Sequence, residues 1–134
     1  MLNIDKLRSQ MLKVSENNED GEIWFRTGFN YEESNDTVCV VCNKNSGVVT
    51  DNGGLMDVLL DYASADDFRD NLIKMAPEFG VRYEDGYLIA EGKDFVESFN
   101  AIVQASIILS ARLIEQIRVQ RENEPECFVG EEDL

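Results

Sequence analysis

Hydrophobic and polar residues at the start of the chain follow first a helical and then a strand-like spacing. Apolar residues recur at steps of three and four over residues 3–15, which predicts an amphipathic helix. Alternation over residues 22–30 predicts a half-buried strand, and the β-branched, almost wholly apolar residues 37–42 predict a strand covered on both faces. A turn then leads into residues 47–50, so we expect a three-stranded antiparallel meander. The apolar positions of the helix are Ile4, Leu7, Met11 and Val14.

The second half of the chain is predicted to form two helices of medium length, a small β-hairpin and one long C-terminal helix. One helix is predicted from Gly54 to about Tyr62, and another from Ser64 to Ala76, just before a proline. An Asp-Gly pair at 85–86 between two short apolar runs, 81–83 and 87–90, predicts the hairpin. From Lys93 or Asp94 to about Arg121 the chain has no Gly or Pro and keeps a helical apolar spacing. A second apolar stripe on this helix comprises Val96, Val103, Ile107, Ile108 and Ile114.

Together these elements predict a single α+β domain over residues 1–121. The long helix would span about 40 Å at 1.5 Å per residue, more than the width of a domain of this size. Two interpretations of its broad apolar surface stay open: it is the central core helix, or part of it pairs with another copy or a partner. Residues 122–134 contain Pro, Gly and six acids, which predicts a disordered acidic tail.

The net charge of −15 is concentrated in two segments of the 134-residue chain. Residues 16–36 hold seven acids against one base, and residues 123–134 hold five acids and no base. Without a cationic stripe to neutralise phosphates, we expect no direct binding of nucleic acid. The N-terminus is interrupted by charges, and no run reaches the roughly 18 apolar residues of a membrane span. We therefore expect a cytoplasmic protein without membrane contact.

Few residues of the chain are suited to catalysis or cofactor binding. Histidine is absent, which removes the commonest general base and metal ligand. Cys39 and Cys42 have C-x-x-C spacing, but residues three positions apart face opposite sides of a strand, so we expect structural cysteines. The glycine corner at Gly47, Gly53 and Gly54 lacks the motifs of phosphate-binding loops. These observations predict no cofactor and no bound metal.

Three acidic residues nevertheless form the low-ranking candidates for a metal site. Asp36 and Asp51 can be imagined sharing Mg²⁺ with Lys44 beside them, and Asp57 lies just beyond the corner. The spacing argues against such a site, since the position two residues before the lysine is Cys42 rather than an acid. Helix capping, turn formation and solubility explain the same acids more simply.

Several short stretches of the chain resemble a family known only as domain of unknown function 1828, found in bacteria and in phage or prophage genomes. The resemblance covers about residues 20–115 and implies a setting linked to mobile elements or defence, without any activity. Gly28 and Asn52 depart from the family's pattern. The stretches are Thr27-Gly28-Phe29, Asp36-Thr37-Val38, Val49-Thr50-Asp51-Asn52-Gly53, Phe79-Gly80-Val81 and Tyr87-Leu88.

The sequence as a whole favours a non-catalytic protein-interaction module of phage or mobile-element type that is also a homo-oligomer. Its partner is an unidentified protein. One alternative is an acidic DNA mimic that inhibits a nucleic-acid enzyme, such as an anti-restriction or anti-CRISPR protein, and another is a Mg²⁺-dependent nuclease-like phosphodiesterase. Tryptophan and arginine are common interface anchors. The interaction candidates are Trp24, Arg26 and Phe29 on the first strand and Ile107, Ile108 and Ile114 on the long helix.

Overall fold

The computed structural model describes residues 12–17 (backbone only), 21–31, 34–92 and 94–123. Within these residues the fold is α+β, as predicted: six strands form one sheet, and three α-helices and a short 3-10 helix accompany it. The elements are β1 (Leu12–Asn17), β2 (Glu22–Asn30), β3 (Thr37–Asn43), β4 (Val49–Thr50), α1 (Gly54–Leu59), α2 (Ala65–Met75), the 3-10 helix (Ala76–Phe79), β5 (Arg82–Glu84), β6 (Tyr87–Ala90) and α3 (Phe95–Glu122).

The sheet is antiparallel throughout, with strand order β1-β2-β3-β4-β6-β5. The predicted meander is present as β2, β3 and β4, and the predicted hairpin as β5 and β6. In the hairpin turn Asp85 and Gly86 both have positive φ, 52° and 92°, which suits a two-residue turn between twisted strands. Pairing of β4 with β6, in which Val49 lies opposite Ala90, merges the meander and the hairpin into one sheet.

The helix predicted over residues 3–15 is wrong where the structure describes it. Residues 12–17 form the edge strand β1, in which Leu12 lies opposite Arg26 and Asn17 opposite Glu22. Residues 3–11 lie outside the described part of the chain. Of the four apolar positions that predicted the helix, only Val14 lies in β1, so the helical signal there is weak, and backbone pairing with the nine-residue strand β2 overrides it.

All three helices pack against one face of the sheet, which we call the inner face. The apolar buried residues of α1, α2 and α3 belong to the same core cluster as Val38, Val40 and Val49 of the sheet. Phe25 of β2 packs on α3, with its ring centroid 5.7 Å from those of both Phe95 and Phe99. The core of the domain therefore lies between this face and α3.

Helix α3 begins and ends close to the predicted positions. The Asp94 carboxylate accepts a hydrogen bond from the Glu97 N–H at 2.9 Å, which caps the first turn. The helix has 28 residues and reaches Glu122, so most of the predicted tail, residues 124–134, lies outside the described chain. Among the described helices we find none with the length and apolar character needed to cross a membrane.

Candidate functional site

The face of the sheet that points away from the three helices, here called the outer face, carries a continuous row of paired positions. Phe25, Val40 and Cys42 point to the inner face, so the residues that alternate with them point outward. The row crosses all six strands: Ser15 lies opposite Trp24, Trp24 opposite Val41, Val41 opposite Thr50, Thr50 opposite Ile89, and Ile89 opposite Arg82.

The side chains of this row on β2, β3, β4 and β6 are less exposed than those of an open sheet face. Val41 is only 4% exposed, yet it is not part of the core cluster beneath the helices. Trp24, Thr50 and Ile89 beside it are half-buried. The buried apolar residues of the described helices all belong to the inner side, so these helices do not account for the burial of Val41.

Two arginines lie on the outer face next to this apolar row. Arg26 is exposed and lies opposite Cys39, two positions along β2 from Trp24. Arg82 is held between two carboxylates, with its Nε 3.2 Å from Glu84 and its Nη1 2.5 Å from Glu91. Trp24 and Arg26 therefore share one face, which the sequence left open.

Phe29, the third strand candidate, lies beyond an irregularity in β2. After Arg26 pairs with Cys39, the next pair is Asn30 with Thr37, so β2 contains two extra residues at this point. The hydroxyl of Thr27 donates to the Val38 carbonyl at 2.9 Å, and the N–H of Phe29 donates to that hydroxyl at 3.1 Å. Phe29 is 37% exposed but does not continue the Trp24–Arg26 alternation.

The helix candidates lie on the other layer of the domain and differ from one another in burial. Ile114 is 1% exposed and belongs to the core cluster, so its assignment to an interaction surface is corrected: it is a core residue. Ile107 is half-buried against the core, and Ile108 is 36% exposed. The long helix and the Trp24 strand therefore do not form one continuous surface.

Asp51 is a buried acceptor that joins the glycine corner to strand β6. Its side chain is 2% exposed; Oδ1 accepts from the N–H groups of Gly53 and Leu88, both at 2.9 Å, and Oδ2 accepts from the N–H of Leu55 at 3.0 Å. Burial raises the pKa of the Asp51 carboxyl above its ordinary value, and these three donors oppose the rise. Both carboxylate oxygens of Asp51 accept hydrogen bonds from backbone N–H groups, so Asp51 has a structural role.

The other acidic candidates do not converge on Asp51 to form a metal site. Asp36 is exposed in the loop before β3, Asp57 is exposed on α1, and Lys44 is exposed in the turn after β3. In the described portion of the chain, no three His, Cys, Asp or Glu side chains come close enough together to hold a metal ion.

Cys39 and Cys42 point to opposite faces of β3, as their spacing predicts. Cys42 is buried in the core, where desolvation raises the pKa of its thiol to about 12. Cys39 is half-buried on the outer face. The two thiols therefore cannot act together as a redox pair or share a ligand.

Sequence reasoning missed two features close to these candidates. Thr50 and Ile89 join Trp24 and Val41 only through the long-range β4–β6 pairing, which no local pattern specifies. The buried hydroxyl of Tyr31 lies over Gly54 and near the hydroxyl of Ser106. Burial raises the pKa of Tyr31, with the nearby Asp51 charge adding to the rise.

Comparisons of the chain with protein-family models, with curated proteins and with solved structures return no match. The resemblance to domain of unknown function 1828 therefore stays a prediction.

Proposed function

We propose that this protein is a non-catalytic interaction module that binds another protein through the outer face of its sheet. The observation that carries the proposal is the pair of half-buried Trp24 and exposed Arg26 on the face opposite all described helices, with half-buried Ile89 farther along the same row. An apolar strip with an arginine beside it has the composition of protein interfaces, where Trp and Arg are enriched.

The energetics favour Trp24 and Arg26 as the anchors of this interface. Trp24 is half-buried and offers a large amphipathic ring, while Arg26 is exposed and presents its guanidinium on the same face. Truncation of one such anchor typically weakens binding by about 2 kcal/mol or more, which is roughly a thirtyfold loss in affinity. The mobile-element setting of the partner rests on the family resemblance alone.

The test is affinity capture of partners from the native host with matched variants. Trp24→Ala and Arg26→Ala should each deplete the captured partner, whereas Arg69→Ala should not, because Arg69 is also exposed but lies on α2 in the helical layer. Thermal melts of each variant establish that it is folded. Retention of the partner by both outer-face variants, together with its loss in Ile108→Ser, would move the interface to the long helix and refute the proposal.

A second candidate function, acidic mimicry of nucleic acid, is favoured by the carboxylates of the α1–α2 region. Five of them fall between residues 57 and 70, on or beside two helices rather than in the flanking segments. Two are already engaged: Asp66 pairs with Arg69, and Asp67 accepts from the Ser64 N–H at 3.0 Å. Mimicry predicts an affinity for a basic nucleic-acid enzyme that falls steeply from low to moderate salt, whereas binding through the apolar row is nearly insensitive to salt.

Self-association is part of the proposal, because an apolar face can be satisfied by a second copy as well as by a different protein. Light scattering at micromolar concentration measures it directly. A uniform species at the 15.2 kDa of one chain would contradict the homo-oligomer.

A further inference from the structure

A cavity of about 390 Å³ opens at the point where α3 begins, between the start of β2, the end of β3 and the start of β4. Its walls are side chains that point to the inner face of the sheet, together with the first residue of α3. A volume of this size suits a small molecule rather than a segment of another protein, since pockets for small ligands occupy about 300 to 1,000 Å³. The apolar residues that line it are Ile23, Phe25, Cys42, Val49 and Phe95.

The cavity has a buried apolar floor and a partly exposed aromatic wall. Cys42 and Val49 lie opposite each other in the sheet and are both buried, whereas Phe95 is 40% exposed. The Phe95 ring is held in place by Phe25 and Phe99, whose ring centroids lie 5.7 and 5.8 Å away. Burial raises the pKa of the Cys42 thiol, which therefore stays protonated at neutral pH and adds no charge to the floor. An apolar molecule in the cavity would cover the exposed part of Phe95, and removal of apolar surface from water favours binding.

Lys44 is the one charged residue among the described residues that line the cavity. It is exposed in the turn between β3 and β4, and its backbone N–H donates to the Gly21 carbonyl at 2.8 Å. Asn43 stabilises the same turn, because its Oδ1 accepts from the N–H groups of Asn45 at 2.9 Å and Ser46 at 3.0 Å. The turn therefore keeps a cation at the rim of an apolar cavity, in a chain whose net charge is −15.

We propose that this cavity binds a small apolar carboxylate, with its hydrocarbon part against the five apolar side chains and its carboxylate beside the Lys44 ammonium. A cation at the mouth of an apolar cavity complements a molecule that has one anionic end and an apolar remainder. A neutral molecule of the same shape gains no charge attraction from Lys44, and a cationic one is repelled by it. The cavity lies on the inner side of the sheet, so this proposal is independent of the partner proposed for the outer face.

The experiment follows the methyl NMR signals of the full chain during titration with octanoate, a straight-chain carboxylate. The signals of Ile23 and Val49 should shift saturably. The signal of Ile108 should not, because Ile108 lies about 20 Å farther along α3 than Phe95. Octanol, which has the same chain length and no charge, should bind more weakly than octanoate, and octylammonium should bind more weakly still.

Two pairs of variants separate the charged end of the ligand from its hydrocarbon chain. Lys44→Gln should weaken the binding of octanoate by about two- to fivefold at low salt, the range of an exposed ion pair, and leave the binding of octanol unchanged. Lys74→Gln, at an exposed position on α2, is the matched control and should change neither affinity. Ile23→Phe places a larger side chain in the cavity and should abolish saturable binding of both ligands, whereas Ile73→Phe, exposed on α2, should leave both unchanged.

Three results would overturn the proposal. The first is the absence of a saturable shift at Ile23 and Val49 when octanoate is added to the folded wild type. The second is an octanoate affinity that is the same in Lys44→Gln as in the wild type, or an equal affinity of the wild type for octylammonium. The third is saturable binding of octanoate by Ile23→Phe when circular dichroism shows that variant to be folded. If Ile23→Phe does not fold, the wild-type shifts and the Lys44→Gln and Lys74→Gln pair decide the question.

Discussion

Replacing Asp51 by asparagine tests whether its carboxylate has a structural or a catalytic role. The Asp51 side chain receives three backbone N–H groups, two on Oδ1 and one on Oδ2. Asparagine has a single acceptor oxygen, so its best orientation keeps the bonds from Gly53 and Leu88 and turns an NH₂ group toward the N–H of Leu55. The N–H of Leu55 then loses its acceptor, and the NH₂ group of the asparagine, another donor, points at it.

The expected cost follows from these contacts. Leaving a buried donor without an acceptor costs about 1 to 3 kcal/mol, and loss of a bond to a charged acceptor is at the upper end, so we expect Asp51→Asn to destabilise the domain by about 2 to 4 kcal/mol. For a domain of this size that corresponds to a fall in melting temperature of roughly 10 °C. Asp51→Ala removes all three acceptors and should cost more than Asp51→Asn.

Chemical denaturation and thermal melts at pH 7 measure these differences, with Asp57→Asn as the matched control. Asp57 is exposed on α1, so its substitution should change the free energy of unfolding by no more than about 0.5 kcal/mol. A solvent-facing metal ligand would behave in the opposite way, since its neutralisation leaves stability unchanged or raises it. Wild-type stability in Asp51→Asn would therefore refute the structural role argued here.

Three further predictions concern single contacts of the fold. A Cβ on Gly54 would meet the Tyr31 hydroxyl, so Gly54→Ala should destabilise the protein by about 1 to 3 kcal/mol, and less in the Tyr31→Phe background; an equal cost in both backgrounds, measured by denaturation, would contradict the contact. The cap of α3 lowers the pKa of Asp94, so its stabilising effect is present at neutral pH and is lost as the pH falls through that lowered value. Melting temperatures of wild type and Asp94→Ala should therefore converge in acid, whereas Asp94→Asn, which still caps, should show no such convergence; a gap between wild type and Asp94→Ala that is the same at pH 7 and pH 3 would argue against the cap. The buried Cys42 thiol should react with Ellman's reagent only on unfolding, so Cys42→Ala should lower by one the number of thiols that become reactive on unfolding, and an unchanged number would contradict the protection of Cys42.

The elements that sequence patterns predicted correctly are those whose signals are local. Helix α3 was predicted from Lys93 or Asp94 because its spacing runs for seven turns without Gly or Pro and begins at a capping residue. The hairpin at residues 85–86 was predicted because Asp-Gly accepts the positive φ that its turn requires.

The elements that the sequence did not predict depend on partners distant in the chain. Residues 12–15 carry too few apolar positions to show their period, and pairing with β2 makes them a strand. Pairing of Val49 with Ala90, which merges two predicted sheets into one, brings together residues that no local pattern relates.

The candidate functional residues also divide into those whose placement depends on local sequence and those whose placement depends on contacts between distant parts of the chain. Alternation along one strand is local and makes a shared face for Trp24 and Arg26 possible, but which face of the sheet they occupy depends on where the helices pack. Asp51 was predicted to lie at the corner, but its third donor comes from Leu88, so its burial depends on the β4–β6 pairing. Ile114 was misassigned because a helix that is apolar on two sides does not reveal from sequence which side the sheet covers.

The two-residue strand β4 makes the sheet narrow at its middle. It alone connects β1–β3 to the β5–β6 hairpin within the sheet, and only two residue pairs join it to each neighbour. The strands on either side pair with sequence neighbours, whereas this seam closes a long loop, so we expect it to form late in folding and to open first under mechanical load. Any molecule that contacts both Trp24 and Ile89 would hold β1–β3 and the β5–β6 hairpin together, and its binding should make the whole sheet more rigid.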